Sequence, residues 1–132
     1  MLSVRDLTRP GLAPASFDLA DGECVAVRGV SGSGKTLLLR AVADLDPAEG
    51  TVTLDGAPRE AISGPQWRRL VGYLPAEPGW WGEAVAEHFE DWAGMAPLVL
   101  RLGLPDGAGD WPVARLSTGE RQRLALLRAI ER

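Results

Sequence analysis

The sequence is poor in several residue types, and each shortage removes a class of protein. There is one cysteine, Cys24, so no internal disulfide can form. It fits a reducing compartment and is expected to be a small buried hydrophobe within an apolar run. There is no excess of positive charge. The net charge is −4, which gives no basic field to attract nucleic acid or an anionic membrane. No stretch reaches the roughly 20 apolar residues of a membrane span. Arg5 and Asp6 stand where a secretion signal would need an apolar run, so none is expected. Repeats and low-complexity tracts are absent. The single histidine, His88 in EAVAEHFEDW, is read as part of a solvated helix face rather than as a metal ligand.

Hydrophobic residues make up 45% and charged residues 24% of 132 residues, the balance of one globular domain with a buried core. Lysine is the scarcest basic residue: all others are arginine and only Lys35 is not. Against that bias, a lone lysine marks a site where a guanidinium will not serve.

Strand patterns come first along the chain and helical ones later. LSVRDLT (2–8) and ASFDLA (15–20) read as strands joined by a turn in RPGLAP. ECVAVRG (23–29) follows the Asp21-Gly22 turn, and its continuous apolar centre predicts a strand covered on both faces. LLLRAVADL (37–45) reads as a helix ending at Asp46-Pro47, and EGTVTLDG (49–56) as a strand between turns. PQWRRL (65–70) reads as a short helix and VGYLP (71–75) as a short strand. EAVAEHFEDW (83–92) and APLVLRLG (96–103) read as helical, PDGAGDWP (105–112) as a loop, and a last helix starts near Thr118. The order predicts an α/β chain with an antiparallel strand layer and a small helical section.

Gly29-Val30-Ser31-Gly32-Ser33-Gly34-Lys35-Thr36 fits G-x-x-x-x-G-K-[S/T] at every fixed position. Glycines let the backbone turn so that successive N–H groups point inward, and with the helix start behind them they cradle phosphate oxygens. Lys35 reaches β- and γ-phosphates as a flexible point charge. Thr36 offers its hydroxyl to Mg²⁺. An apolar run before the loop and a helix after it are the setting this motif requires.

Ser117-Thr118-Gly119-Glu120 is an S-x-x-E capping box, and alone it is structural. In the context LSTGERQRLALLRAI, following GVSGSGKT, the chain resembles the N-terminal part of the ATPase domain of ATP-binding cassette (ABC) transporters. GVSGSGKT is similar to the family's Walker A loop and LSTGERQ to its LSGGQ signature. EGTVTLDG and VGYLPAEP are similar to segments after the Walker A helix and around the Q-loop. The resemblance covers essentially the whole chain. It implies a P-loop fold with a RecA-like core, an antiparallel β subdomain and a small helical subdomain, truncated. The implied division is 1–75 with Walker A, 76–116 with the Q-loop and helical subdomain, and 117–132 as the signature helix. It also implies ATP and Mg²⁺ as cofactors, and a head-to-tail dimer with itself or another such domain. Gly29, Ser31, Gly32, Ser33, Gly34, Lys35 and Thr36 would hold the nucleotide of one subunit, and Ser117, Gly119 and Glu120 would face the γ-phosphate of the other. A transmembrane permease is the further partner, which puts the chain in the cytoplasm at the inner face of the membrane.

Besides Thr118 in place of the signature's first glycine and Glu120 in place of its glutamine, the sequence departs from the family in three places. The Q-loop glutamine is Ala76, which has no polar group, with Glu77 beside it. No aromatic stands in Arg9-Pro10-Gly11-Leu12, where the family stacks adenine, so the expectation is either a weaker adenine contact or one from Leu12 and the proline ring, with Phe17 in the core. The chain ends before the strand that carries the family's Walker B aspartate and catalytic glutamate. No catalytic residue is therefore assigned, weak or absent ATP hydrolysis is expected, and an uncovered apolar edge favours aggregation. Trp80-Trp81 has two readings, core or docking anchor for the permease. Trp67, Trp92 and Trp111 read as packing residues, Asp44 and Asp46 as helix-end and turn residues, and Arg121, Arg123, Arg128, Glu131 and Arg132 as a solvated face. A non-catalytic nucleotide-binding module is the competing function. A small P-loop kinase is a third, disfavoured by LSTGERQ.

Overall fold

A computed structural model describes residues 1–131. The chain divides into two compact units, Met1–Tyr73 and the residues from Leu74 on.

The first unit is built on a four-stranded antiparallel sheet in the order β2-β1-β3-β4. Its strands are β1 (Leu2–Arg9), β2 (Leu12–Leu19), β3 (Glu49–Leu54) and β4 (Ala57–Pro58). Val4 of the central strand pairs with Phe17 on one side and Val52 on the other. Period-two alternation brings Val4 and Val52 onto the covered face, where both are fully buried. α1 (Lys35–Val42) covers that face with Leu38, Ala41 and Val42, and α2 (Gly64–Leu70) adds Trp67. Trp67 is fully buried and its indole Nε1–H donates to the Val42 carbonyl at 2.9 Å, so the large ring enters the core without stranding its polar atom. Removing it is expected to cost about 3–5 kcal/mol. α1 ends where Asp44 takes φ 56°, and Asp46 then accepts from Arg40 at 2.7 and 2.9 Å and pairs with Arg9. Those guanidiniums, Arg40 first, hold the Asp46 carboxyl down at about 2. Asp44 and Asp46 are thus helix-end and turn residues, as the sequence suggested.

Two predicted strands are not formed. Residues 23–29 and 71–75 belong to no strand, and Cys24, expected to be buried, is exposed, with Val25 and Val27 half-exposed beside it. A strand with two apolar faces is stable only between ladder neighbours and under covering layers. Among the described residues, no segment pairs with either one.

The second unit has no sheet among its described residues. α3 (Ala96–Arg101), α4 (Thr118–Ile130) and several single 3₁₀ turns enclose a core of Val85, Met95, Val99, Leu104, Ala108, Val113, Leu116, Leu124 and Leu127. Trp92 and Trp111 pack against this core, as expected, and so does Trp80. Trp81, by contrast, is 72% exposed. The helix predicted over 83–92 is reduced to one 3₁₀ turn, Val85–His88. Its start is claimed elsewhere: Ala84 bridges Pro112, Val85 N–H donates to Trp111 O at 3.1 Å, and Val113 N–H donates to Glu83 O at 2.8 Å. Backbone spent on that bridge cannot close an i→i−4 ladder. His88 is not on a solvated face but buried, and it accepts from two backbone amides. Nor is the basic side of α4 simply solvated. Arg121 donates to Val113 O and Leu116 O, and Arg128 donates to Gly79 O and lies over the Trp80 and Trp81 rings. Arg132 lies outside the described residues.

Candidate phosphate-binding site

Residues 29–36 form a tight turn that ends in the first turn of α1. Ser33 N–H donates to Val30 O at 3.2 Å and closes the turn. Gly32 and Gly34 take φ 79° and 93°, the left-handed region that side chains resist. At Gly34 the restriction is double. A Cβ there would lie 2.8 Å from the Gly11 carbonyl oxygen and 3.3 Å from Leu12 Cδ1. The tip of the β1–β2 hairpin therefore presses against the helix start, and only glycine fits between them. A Cβ on Gly32 would meet nothing within 4 Å, so that side of the loop is open.

Gly34 is the N-cap of α1, and no side chain caps it. The first turn holds no acidic residue. The leading amides of a helix have no carbonyl of their own to bond, and here no side chain substitutes for one. Uncapped amides, the positive end of the helix dipole and an open glycine turn fit an anion with several oxygens. Lys35 adds the cation. Its Nζ donates to Gly29 O at 2.7 Å and Val30 O at 2.8 Å, so the ammonium lies folded across the loop's own carbonyls. Ser31, Ser33 and Thr36 are exposed beside it. The structure thus brings Gly29, Ser31, Gly32, Ser33, Gly34, Lys35 and Thr36 together in one turn. Among the described residues, no cluster of three or more acids, histidines or cysteines could hold a metal by itself. Of the loop's groups, the Thr36 hydroxyl suits Mg²⁺ shared with phosphate oxygens.

Ser117, Gly119 and Glu120 lie in the other unit, at the start of α4. The capping box is complete: Ser117 Oγ accepts from Glu120 N–H at 3.2 Å, and the Glu120 carboxylate accepts from Ser117 N–H at 2.8 Å. The Ser117 backbone amide, then its hydroxyl, hold the Glu120 carboxyl below its usual range. Ser117, Thr118 and Gly119 are exposed, and a Cβ on Gly119 would meet nothing within 4 Å. This tip is open to a large ligand, but its own side chains already serve its first amides.

Leu12, expected to contact adenine, is buried in the core instead. A cavity of about 470 Å³ lies beside the hairpin tip, lined by Thr8, Arg9, Pro10, Pro47, Ala48 and Glu49. Ala76 and Glu77 are exposed. Sequence reasoning missed Arg9, since its ion pair with Asp46 needs the β1 end and the turn after α1 to meet, and no local pattern records that.

Known proteins agree with this geometry. A family model described as ABC transporter matches residues 12–132. The aliphatic sulfonates import ATP-binding protein SsuB 1 of Agrobacterium fabrum is 37% identical over 128 residues, 92% of this chain and 45% of that protein. The Fe(3+) ions import ATP-binding protein FbpC of Streptomyces coelicolor is 39% identical over 97% of this chain and 40% of its own length. A solved ATP binding subunit of an ABC transporter superimposes with a TM-score of 0.80 at 25% identity, over 97% of this chain and 60% of that one. The chain spans under half the length of the two curated relatives. With the glycine turn, the capped helix start and the antiparallel layer in their expected order, the chain belongs to the ABC transporter family.

Proposed function

We propose that this chain is the nucleotide-binding portion of an ABC transporter ATPase, and that it holds the triphosphate of Mg·ATP on the 29–36 turn. The observation that carries the reading is the uncapped, acid-free start of α1, shaped by Gly34 and flanked by the only lysine. The amides of the turn bind phosphate oxygens, Lys35 turns from the Gly29 and Val30 carbonyls toward them, and Thr36 would hold Mg²⁺. When bound, Mg²⁺ neutralises charge on the β- and γ-oxygens. We propose the partition 1–75, 76–116 and 117–132 for nucleotide grip, partner contact and signature. Ser117, Gly119 and Glu120 would face the nucleotide of a second cassette, in a head-to-tail pair. The relatives' names, import ATP-binding proteins, support a membrane permease as the further partner and a place at the cytoplasmic face. No helix of the described residues is long and apolar enough to cross a membrane.

Calorimetry on the 132-residue chain with Mg·ATP and with AMP tests the reading. Binding of ATP but not of AMP is expected, because the grip is on the phosphates. Equal affinity for both would refute it.

A second reading is a module that binds nucleotide without turning it over. The unpaired state of residues 23–29, which lead into the loop, favours it for these residues alone. A steady-state phosphate-release assay separates the two: Lys35-dependent turnover would favour the ATPase reading, and no turnover the binding module.

A further inference from the structure

His88 sits beneath the Trp80-Trp81 turn with all of its ring polarity in use. The N–H groups of Trp81 and Gly82 both point at Nε2, at 2.9 Å each. Nδ1 faces the carbonyls of Ala84 at 3.1 Å and Val85 at 3.3 Å. Two donors against one nitrogen demand a lone pair there, and two acceptors against the other demand a proton. Only one form of imidazole meets both conditions: neutral, with its proton on Nδ1. The ring is also wedged between tryptophans, its centroid 4.9 Å from Trp80 and 4.6 Å from Trp81. The charged groups around it are Glu87 of its own turn, Glu90 of the next segment, and Arg128 and Glu131 of α4. Glu87 and Glu131 are occupied with backbone, the first by Glu83 N–H at 2.9 Å and the second by Asp91 N–H at 2.7 Å. The tryptophan faces could receive a cation, but the Arg128 guanidinium already lies over both, 4.9 and 4.8 Å from their centroids.

We propose that His88 is an acid-sensitive latch for the Trp80-Trp81 turn. A proton added at Nε2 turns the shared acceptor into a donor that faces two donors. Both amide bonds are then lost together, and a second cation stands beside Arg128. The turn detaches, and the exposed Trp81 ring loses its fixed presentation. Nothing in this latch uses the phosphate loop, so it stands whether or not the chain binds ATP.

One histidine in the sequence makes the test direct. The ring nitrogens of ¹⁵N-histidine-labelled full chain are read by NMR above neutral pH. A protonated Nδ1 and bare Nε2 are expected, and the opposite tautomer overturns the proposal. Amide exchange is then compared with intrinsic rates on both sides of the ring's titration. Trp81 and Gly82 are expected to lose protection about tenfold or more in the protonated state, ahead of the α4 amides. Unchanged protection, or loss shared evenly by the whole chain, overturns it. His88→Asn keeps an acceptor without a titrating ring, so a folded variant should lose this pH step; a step that persists overturns the latch. If the variant does not fold, the two wild-type measurements decide alone.

Discussion

The starts of α1 and α4 meet the same physical problem in opposite ways. Each helix begins with amides that have no partner within the helix. α4 solves this with its own side chains, Ser117 and Glu120, in a reciprocal pair of hydrogen bonds. α1 has glycine at the cap, no carboxylate in the first turn and no side-chain bond to its leading amides. Bareness alone does not single out α1, since α2 and α3 also start without a side-chain cap or an acidic residue. α1 is the bare start that also carries a glycine turn and the lysine. The contrast separates a helix start whose first donors are met by its own side chains from one whose donors are left open.

Substitutions can break that contrast or sharpen it. The largest effect is expected from Lys35→Ala, which removes the only cation of the loop: ATP affinity should fall about 10–100-fold, the worth of a charge-assisted hydrogen bond, measured by calorimetry. Gly34→Ala comes next. It sets a side chain at φ 93° against the Gly11 carbonyl and should destabilise the first unit by about 1–3 kcal/mol, read as a lower denaturation midpoint. Ser117→Ala should cost about 1 kcal/mol, the usual worth of a lost cap, seen as fraying of α4 by amide exchange; an equal effect at α1 would dissolve the comparison. Acid gives the smallest effect. The Glu120 carboxyl is held below its ordinary range in the fold, so its support of α4 is complete above about pH 4.3 and fades as pH falls through the lowered value. The α1 start has no carboxylate to titrate, so exchange at Thr36 and Leu37 should not follow that profile.

What could be read from the sequence follows how far each feature reaches. The glycine turn and the capping box close their hydrogen bonds within a few residues, so spacing alone revealed them. β1, β2 and β3 were legible from their apolar alternation, although a bulge between Val4 and Leu7 breaks the period in β1 and brings Leu7 into the same core. Residues 23–29 were misread because an apolar run states a need for neighbours, not their presence. The 83–92 segment was misread because its helical period competes with the bridge from Ala84 to Pro112, 28 positions on in the numbering. His88 was misread for a related reason: its carboxylate-rich surroundings suggested solvent, while the amides that bind it lie six and seven residues back. The local geometry of the 29–36 turn and the 117–120 box was thus legible, whereas the Gly11 contact that fixes Gly34 and the burial of Leu12 were not.

The ammonium of Lys35 rests on two main-chain oxygens of its own turn. If the turn holds a polyphosphate as proposed, that ligand would have to outcompete an internal acceptor pair, and net affinity would reflect a difference between two anchorages rather than one attraction. On the proposed reading, a chain of phosphates, offering several oxygens at once, would gain more from that exchange than an anion offering one.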